Sequence, residues 1–237
     1  MKSVKLSVIA ATALMMTGCA SETQRQAENV KVNVEKVQGV EAQLEAVATP
    51  DEAMARLIEG NARYVADSCI NPHHNQKRVE ATAPHQAPFA AVVACSDSRV
   101  PVELLFDQGV GDIFVIRTAG NSVNGDLVMG SVDYAVEHLG VKALIVLGHE
   151  SCGGVTGAIS EVEKDDDSKI DELLSVIRED VKPYVGKIDS LDAAVKMNAN
   201  AQLERIMKSK HVQTLVNDGK LVVKSAYYNV HSGKVEF

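Results

Sequence analysis

The chain has 237 residues, of which 46% are hydrophobic, and its formal net charge is −8. This length suits one globular domain with a tail, and the hydrophobic content excludes wholesale disorder. Aromatic residues make up 4% of the chain, which has no Trp. The negative charge repels a phosphate backbone, and the few aromatic rings offer little surface for base stacking. We therefore expect no nucleic-acid partner.

Residues 1–19 have the layout of a secretory signal. Two lysines supply positive charge, the apolar stretch 6–16 is too short to span a bilayer permanently, and small residues surround Cys19. The segment is similar to a bacterial lipoprotein signal, in which Cys19 is lipidated and becomes the first mature residue. Ordinary cleavage after Ala20 is the alternative. Both interpretations predict an exported protein of the bacterial envelope or periplasm, and lipidation without an acidic retention signal predicts an outer-membrane anchor.

Residues 20–48 are polar and contain no Pro or aromatic residue. This composition predicts a tether that separates the domain, residues 49–237, from the anchor. The alternating sequence "VKVNVEKV" within it leaves open an edge strand or a partner-binding arm.

Cysteine usage does not fit a disulfide framework. Apart from Cys19, the chain has Cys69, Cys95 and Cys152, and an odd number of thiols cannot be fully paired within one chain. At least one thiol therefore needs another explanation, and metal binding is one.

The elements of the body, taken in chain order, indicate an α/β fold. "TPDE" at 49–52 is typical of a helix start, because it combines an N-cap, a proline and acidic residues. Apolar runs of strand length follow at 89–95, 112–117, 143–148 and 221–230. Helical patterns occupy 125–139, 168–182 and 190–208.

Runs that are apolar on both faces indicate a parallel sheet covered on both sides. We therefore predict a mostly parallel central sheet of four strands, flanked by helices, with a C-terminal antiparallel edge strand turned by Ser232 and Gly233. In the last predicted helix, one face carries Leu191, Val195, Ala199, Leu203 and Ile206.

Two of the predicted strands lead into residues with metal-binding or catalytic chemistry. One strand ends at Cys95, with Asp97 and Arg99 just beyond it, and another leads into "GHESCGGV", which holds His149 and Cys152. Ligands of open parallel sheets bind at the carboxyl ends of the strands, near a topological switch point. If the two strands are neighbours, the two cysteines and the histidine converge.

Two thiolates and one imidazole suit zinc and leave a fourth position for catalysis. Asp97 could orient a reacting water while Arg99 holds it ionised by a two-point contact, or Asp97 could itself become the fourth metal ligand and close the site. Each motif alone has a simpler explanation, such as a small buried thiol or a surface ion pair. The combination favours a metal site.

The segments "CSDSRVP", "GDIFVIRTAGN" and "GHESCGGV" closely resemble the signature segments of the β-class carbonic anhydrases, and the resemblance extends from about Ala53 to the C-terminus. It implies that Cys95, His149 and Cys152 bind one Zn²⁺ per subunit. It implies reversible hydration of CO2 by hydroxide held on the zinc, oriented by a catalytic dyad of Asp97 and Arg99. Asp97 would occupy the fourth zinc position in a closed state.

The resemblance also implies a backbone of Gly153 and Gly154 close to the metal, and assembly into a homodimer or tetramer. Arg117 matches an arginine that some members use, with a Trp, in a regulatory bicarbonate pocket. Val92 stands where those members have the Trp. We therefore expect Arg117 to form an ion pair at a strand end or a subunit interface.

Three alternative functions remain open at this stage. The same site could hydrolyse CS2 or COS, as in some relatives, or the protein could be a non-catalytic zinc-binding protein of the envelope. A thiol redox protein is less favoured, because no close C-x-x-C pair is present. A second metal site at His73 and His74 is a weaker alternative. The histidines without sequence partners, any of which could shuttle protons, are His85, His138, His211 and His231.

Overall fold

The computed structural model describes residues 47–160 and 168–237. The predicted signal with Cys19, all but the last two residues of the predicted tether, and the acidic run 161–167 lie outside the described residues.

The domain opens with helix α1, Pro50–Val65, at the predicted position. The Thr49 hydroxyl accepts a hydrogen bond from the Glu52 N–H at 3.2 Å, and the Glu52 carboxylate accepts one from the Thr49 N–H at 3.0 Å. This reciprocal capping box satisfies two amide groups at the helix start that have no partner within the helix.

The described residues form one sheet of five strands, which are β1 (Ala90–Cys95), β2 (Ile113–Thr118), β3 (Ala143–His149), β4 (Val222–Tyr228) and β5 (Val235–Glu236). Their order is β2-β1-β3-β4-β5, with parallel pairing throughout except for the antiparallel pair of β4 and β5. The predicted fold class is therefore confirmed. Every residue of β1 and β3 is buried, which explains their continuous apolar sequences.

The other helices are α2 (Gln76–Thr82), α3 (Val102–Leu105), α4 (Asp126–Asp133), α5 (Gly153–Ile159), α6 (Lys169–Asp180), α7 (Leu191–Ile206) and α8 (Lys210–Asn217). The helix predicted at 125–139 ends in a π-helical turn, Tyr134–His138. Four of these helices, α2, α3, α5 and α8, have no counterpart in the sequence prediction. No described helix has the length and apolar character needed to cross a membrane.

The core has one apolar layer on each face of the sheet. Helices α1 and α3 pack against the face that carries Val92 and Ala94 of β1, while α4, α7 and α8 contribute to the layer around Ala91 and Val93. A third cluster contains Cys95 and Cys152 together with apolar residues of α5, α6 and α7. The candidate ligands therefore lie where the core meets the carboxyl end of the sheet.

The strand order places the topological switch point between β1 and β3. From β1 the chain crosses to β2 on one side, and it then returns to build β3 on the other side. The connections leaving β1 and β3 consequently diverge and leave a crevice at their carboxyl ends. Cys95 and His149 are the last residues of these two strands.

Asn61 of α1 fastens the C-terminal hairpin to the domain. Its Nδ2 donates to the carbonyls of Leu105 at 3.0 Å and Gly233 at 2.9 Å, and its Oδ1 accepts from the Val235 N–H at 2.8 Å. The side chain is buried, so its bonds to Leu105 and Val235 are shielded from water, and its bond to Gly233 is partly shielded.

Asn61→Ala is expected to lower the free energy of unfolding by about 2–3 kcal/mol, because it leaves buried backbone groups without partners. Urea denaturation followed by circular dichroism measures this loss. Asn217→Ala, at an exposed position at the end of α8, is the control and is expected to change stability by no more than about 0.5 kcal/mol. Equal losses in the two variants would contradict the role given to Asn61.

Candidate metal centre

The structure brings together the three residues that the sequence placed at two strand ends. Cys95 closes β1, His149 closes β3, and Cys152 immediately precedes α5. Their ligand atoms all lie within 4.8 Å of one another, and the two sulfurs are 4.0 Å apart. All three side chains are buried, with His149 and Cys152 fully inaccessible to solvent.

A tight turn after β3 aims His149 and Cys152 at the same point. The Glu150 N–H donates to the Tyr228 carbonyl at 2.8 Å, and Ser151 then adopts a left-handed conformation with φ of 55°. The His149 Nδ1 lies 2.9 Å from the Glu150 carbonyl oxygen. Because a carbonyl only accepts, Nδ1 must carry the proton, which leaves the lone pair of Nε2 facing the cluster.

Two features of the donor set fit a zinc ion. The His149 Nε2 is buried and makes no hydrogen bond in this structure. A buried polar atom without a partner costs free energy, and a metal ion bound to this nitrogen would satisfy it. Two sulfurs and one imidazole nitrogen are donors that zinc prefers, and three protein ligands are typical of catalytic zinc.

The Cys152 thiol donates a hydrogen bond to the Cys95 sulfur, with the two sulfurs 4.0 Å apart. Donation by the Cys152 thiol lowers the pKa of Cys95, and backbone N–H groups, including that of Gly120, lower it further. The same hydrogen bond, together with burial, raises the pKa of Cys152. A bound dication favours the loss of the Cys152 thiol proton, since thiolates are the form that binds metal.

Asp97 is held beside the cluster by Arg99. The guanidinium donates from Nε to Oδ1 at 3.0 Å and from Nη2 to Oδ2 at 2.7 Å, and the Arg99 backbone N–H donates to Oδ1 at 2.9 Å. These bonds hold the pKa of Asp97 well below its usual range, so the carboxylate is ionised. Its Oδ2 lies 3.9 Å from the His149 Nε2.

Asp97 lies at the edge of the ligand cluster and contacts Arg99. Its carboxylate faces Arg99, and the group of ligand atoms within 4.8 Å consists, in the described part of the chain, of Cys95, His149 and Cys152. The arrangement with Asp97 as a fourth metal ligand stays a prediction. Arg99 also donates to the Ser151 carbonyl at 3.1 Å, which ties Asp97 to the turn that carries Cys152.

Within this chain Arg117 contacts backbone carbonyls, while an ion pair at a subunit interface stays a prediction. Its guanidinium donates to the Cys95 carbonyl at 2.9 and 3.1 Å and to the Asp97 carbonyl at 2.6 Å. It therefore holds the backbone between Cys95 and Asp97 in place. Sequence reasoning missed this role, because a backbone carbonyl leaves no signal in the sequence.

The two glycines after Cys152 differ in their surroundings. A Cβ atom on Gly154 would lie 3.2 Å from the Gly120 nitrogen, a contact that is tighter than most side chains tolerate. A Cβ atom on Gly153 would meet no atom of the described residues within 4 Å. Close backbone packing therefore explains Gly154, while a substrate-related role for Gly153 stays a prediction.

The remaining cysteine and histidines lie outside the cluster. Cys69 is a free thiol, and His73 is buried with its Nδ1 against the Asp112 carboxylate at 2.7 Å. Residues 47–160 and 168–237 contain no second group of metal ligands at His73 and His74. His231 contacts Glu150 at 2.7 Å, next to the ligand His149.

The fold and the cluster together define a zinc-binding α/β protein whose site lies at the switch point of a parallel sheet, with an ionised carboxylate beside it. A sequence model of the family described as carbonic anhydrase matches residues 90–235. A carbonic anhydrase of Mycolicibacterium smegmatis is 33% identical over 195 residues, covering 80% of this chain and 93% of that protein. One of Pseudomonas aeruginosa is 33% identical and covers 77% and 86%.

Solved structures agree with these relatives. The β-carbonic anhydrase of Coccomyxa in complex with acetazolamide is 29% identical, with a TM-score of 0.61 over 76% of this chain and 83% of that chain. A tetrameric β-carbonic anhydrase of Sordaria macrospora, 24% identical with a TM-score of 0.59 over 75% and 92%, shares the fold. The chain belongs to the β-class carbonic anhydrases, which are zinc-dependent lyases.

Proposed function

We propose that this protein catalyses the reversible hydration of CO2 to bicarbonate and a proton at the centre formed by Cys95, His149 and Cys152, with Asp97 and Arg99 as the catalytic dyad. The observation that carries the proposal is the unpartnered Nε2 of His149, which faces two sulfurs beside a carboxylate kept ionised.

The three ligands supply the charge and the geometry of the centre. Zinc bound there supplies a water whose pKa drops to about 7, and hence a nucleophile at neutral pH. Cys95 and Cys152 bind as thiolates, while the hydrogen bond from Nδ1 of His149 to the Glu150 carbonyl fixes the ring orientation and the tautomer.

Asp97 orients the reacting water. An ionised carboxylate only accepts hydrogen bonds, so Oδ2 accepts the O–H of the water and turns a lone pair toward CO2. Arg99 keeps this oxygen in place from one side, and Arg117 holds the backbone of Asp97 from the other. The dyad is thereby organised before substrate arrives, which avoids reorganisation during the reaction.

The experiment is stopped-flow CO2 hydration by zinc-loaded protein, with parallel assays of COS and CS2 hydrolysis. We expect CO2 to be the preferred substrate. Preference for COS or CS2 would favour the hydrolase alternative, and no turnover of any substrate by fully metal-loaded protein would favour a non-catalytic zinc protein of the envelope.

We further propose that the subunits form a homodimer or tetramer. β2 is an edge strand of the sheet, and large apolar side chains such as Leu104 and Leu127 are exposed. The Sordaria macrospora structure is described as tetrameric. Sedimentation equilibrium is expected to show a mass of two or four subunits, and a monomer at micromolar concentration would contradict this assembly.

We also propose export and lipidation at Cys19, with the outer membrane as the destination. The support is the charged, apolar and small-residue pattern of residues 1–19. In cells fed a labelled fatty acid, we expect the label on the wild-type chain and on Cys69→Ser, and its loss in Cys19→Ser. Unlabelled wild-type protein released as a soluble periplasmic species would instead indicate ordinary cleavage.

A further inference from the structure

Helix α7 buries two amide side chains on the face that packs toward the metal centre. Asn198 and Gln202 are both fully inaccessible to solvent. They lie one turn apart, among the apolar residues of the same face. Burying an amide is costly unless each of its polar atoms is bonded, so the partners of these two residues indicate why amides are present.

Asn198 reaches the metal centre through a single glycine. Its Nδ2 donates to the Gly120 carbonyl at 2.8 Å, and the Gly120 N–H donates to the Cys95 sulfur at 3.3 Å. Gly120 has a left-handed conformation with φ of 63°, in the short turn that follows β2. Because Gly154 packs against its backbone, Gly120 is held from two sides.

Gln202 fixes which way the Asn198 amide points. Its Oε1 accepts from the Val123 N–H at 3.1 Å and from Arg205 at 2.9 Å, so its Nε2 must face the other way. That Nε2 donates to the Asn198 Oδ1 at 3.0 Å and to Asp180 at 2.8 Å. With its oxygen occupied in this way, Asn198 presents Nδ2 to Gly120.

The network begins at a charged pair. Arg205 donates to the Asp180 carboxylate, with Nη1 at 2.6 Å from Oδ2, and Asp180 is almost fully buried. The direction of donation is therefore set at every step from this ion pair to the Gly120 carbonyl. A hydrogen-bond network with a single orientation holds its end groups more rigidly than packing alone.

We propose that Asn198 is a positioning residue for the metal centre: held by Gln202, it fixes Gly120 so that the Gly120 N–H donates to the sulfur of Cys95 and limits the negative charge that this thiolate gives to the metal. Hydrogen bonds to a ligating sulfur tune the metal that it binds, and loss of such outer partners typically lowers metal affinity by about 10–100-fold.

The test uses Co²⁺ in place of Zn²⁺ in the full-length wild-type protein, Asn198→Ala and Asn198→Asp. We expect the sulfur-to-cobalt charge-transfer band to move to longer wavelength in both variants, because the thiolate becomes more electron-rich. The Zn²⁺ dissociation constant, measured by competition with a chelating dye, is expected to rise by about 10–100-fold, because the Gly120 N–H no longer holds the Cys95 sulfur in position. Asn200→Ala, at an exposed position on the same helix, is the matched control and should leave both quantities unchanged.

Gln202→Ala is the second variant, should Asn198 be needed for folding. It leaves Asn198 in place but removes the side chain that orients it, and we expect a smaller band shift in the same direction. Variants that lose stability but keep the wild-type band position would overturn the proposal, because a merely structural role changes stability and leaves the spectrum unchanged.

The inference rests on the metal site of the proposed function. The cobalt spectrum distinguishes a failure of this inference from a failure of the proposed CO2 hydration. A wild-type protein that binds no Co²⁺ would overturn both the metal site and this inference. A wild-type protein that shows the sulfur-to-cobalt band but does not turn over CO2 when loaded with zinc would contradict the proposed function alone.

Discussion

Cys152→Ala is expected to bind no zinc after dialysis and to show no CO2 hydration above the buffer rate. Cys152 is one of three ligands, it is fully buried, and its sulfur lies 4.0 Å from that of Cys95. Loss of an outer partner typically costs about 10–100-fold in metal affinity or activity, and loss of a ligand itself must cost more.

Zinc content measured by inductively coupled plasma spectrometry, together with stopped-flow rates, checks this expectation. Cys69→Ala is the matched control, since Cys69 is a free thiol outside the ligand cluster, and it should keep one zinc per chain and the wild-type rate. A Cys152→Ala variant with one zinc per chain would show that the metal is held elsewhere.

Asp97→Asn is expected to keep its zinc and to lose turnover, with kcat lower by about 100-fold or more. The substitution keeps the shape of the side chain but removes the charge that Arg99 binds. An amide also presents N–H donors where the reaction needs an acceptor. Arg99→Lys should lower kcat in the same direction, because an ammonium group cannot make the two-point contact.

Zinc content and kcat are measured separately, so a catalytic role of Asp97 can be distinguished from a role in metal binding. Asp126→Asn, at an exposed position in the first turn of α4, is the matched control and is expected to leave kcat unchanged. Wild-type turnover in Asp97→Asn would remove the catalytic role of the carboxylate. Loss of zinc from this variant would instead indicate that Asp97 contributes to metal binding.

The metal ligands could be predicted because they lie in two short segments of the sequence, each with a recognisable local pattern. Cys95 and His149 end continuous apolar runs, and such runs are typical of buried parallel strands. The two residues come together if these two strands are neighbours in the sheet. The strand order itself depends on tertiary packing, and the sequence could support it only through the family resemblance.

The supporting residues could not be predicted, because their partners are backbone groups or distant side chains. Periodicity placed Val195, Ala199 and Ile206 on one face of the last long helix, and all three are buried. The same reasoning assigned no role to Asn198 and Gln202, although both are fully buried. Amides are usually exposed, and only the three-dimensional network shows what satisfies these two.

Two helices illustrate the limits of local propensity. The sequence from Gly153 onward has three glycines in seven residues and was not predicted to be helical, yet α5 forms because Val155, Ala158 and Ile159 are buried on one side. Helix α2 begins at an Asn75 N-cap, in a segment between α1 and β1 where the sequence pattern predicts no helix. Tertiary packing and capping outweigh propensity in these segments.

The most direct test of the central claim is a titration of metal-free protein with Zn²⁺, in which the initial rate of CO2 hydration is measured at each addition. Because Cys95, His149 and Cys152 form one ligand cluster, we expect the rate to rise linearly with added Zn²⁺ and to level off at one zinc per chain. A rate that stays at the buffer value when one equivalent has bound, or that is already maximal before zinc is added, would contradict a zinc-dependent carbonic anhydrase.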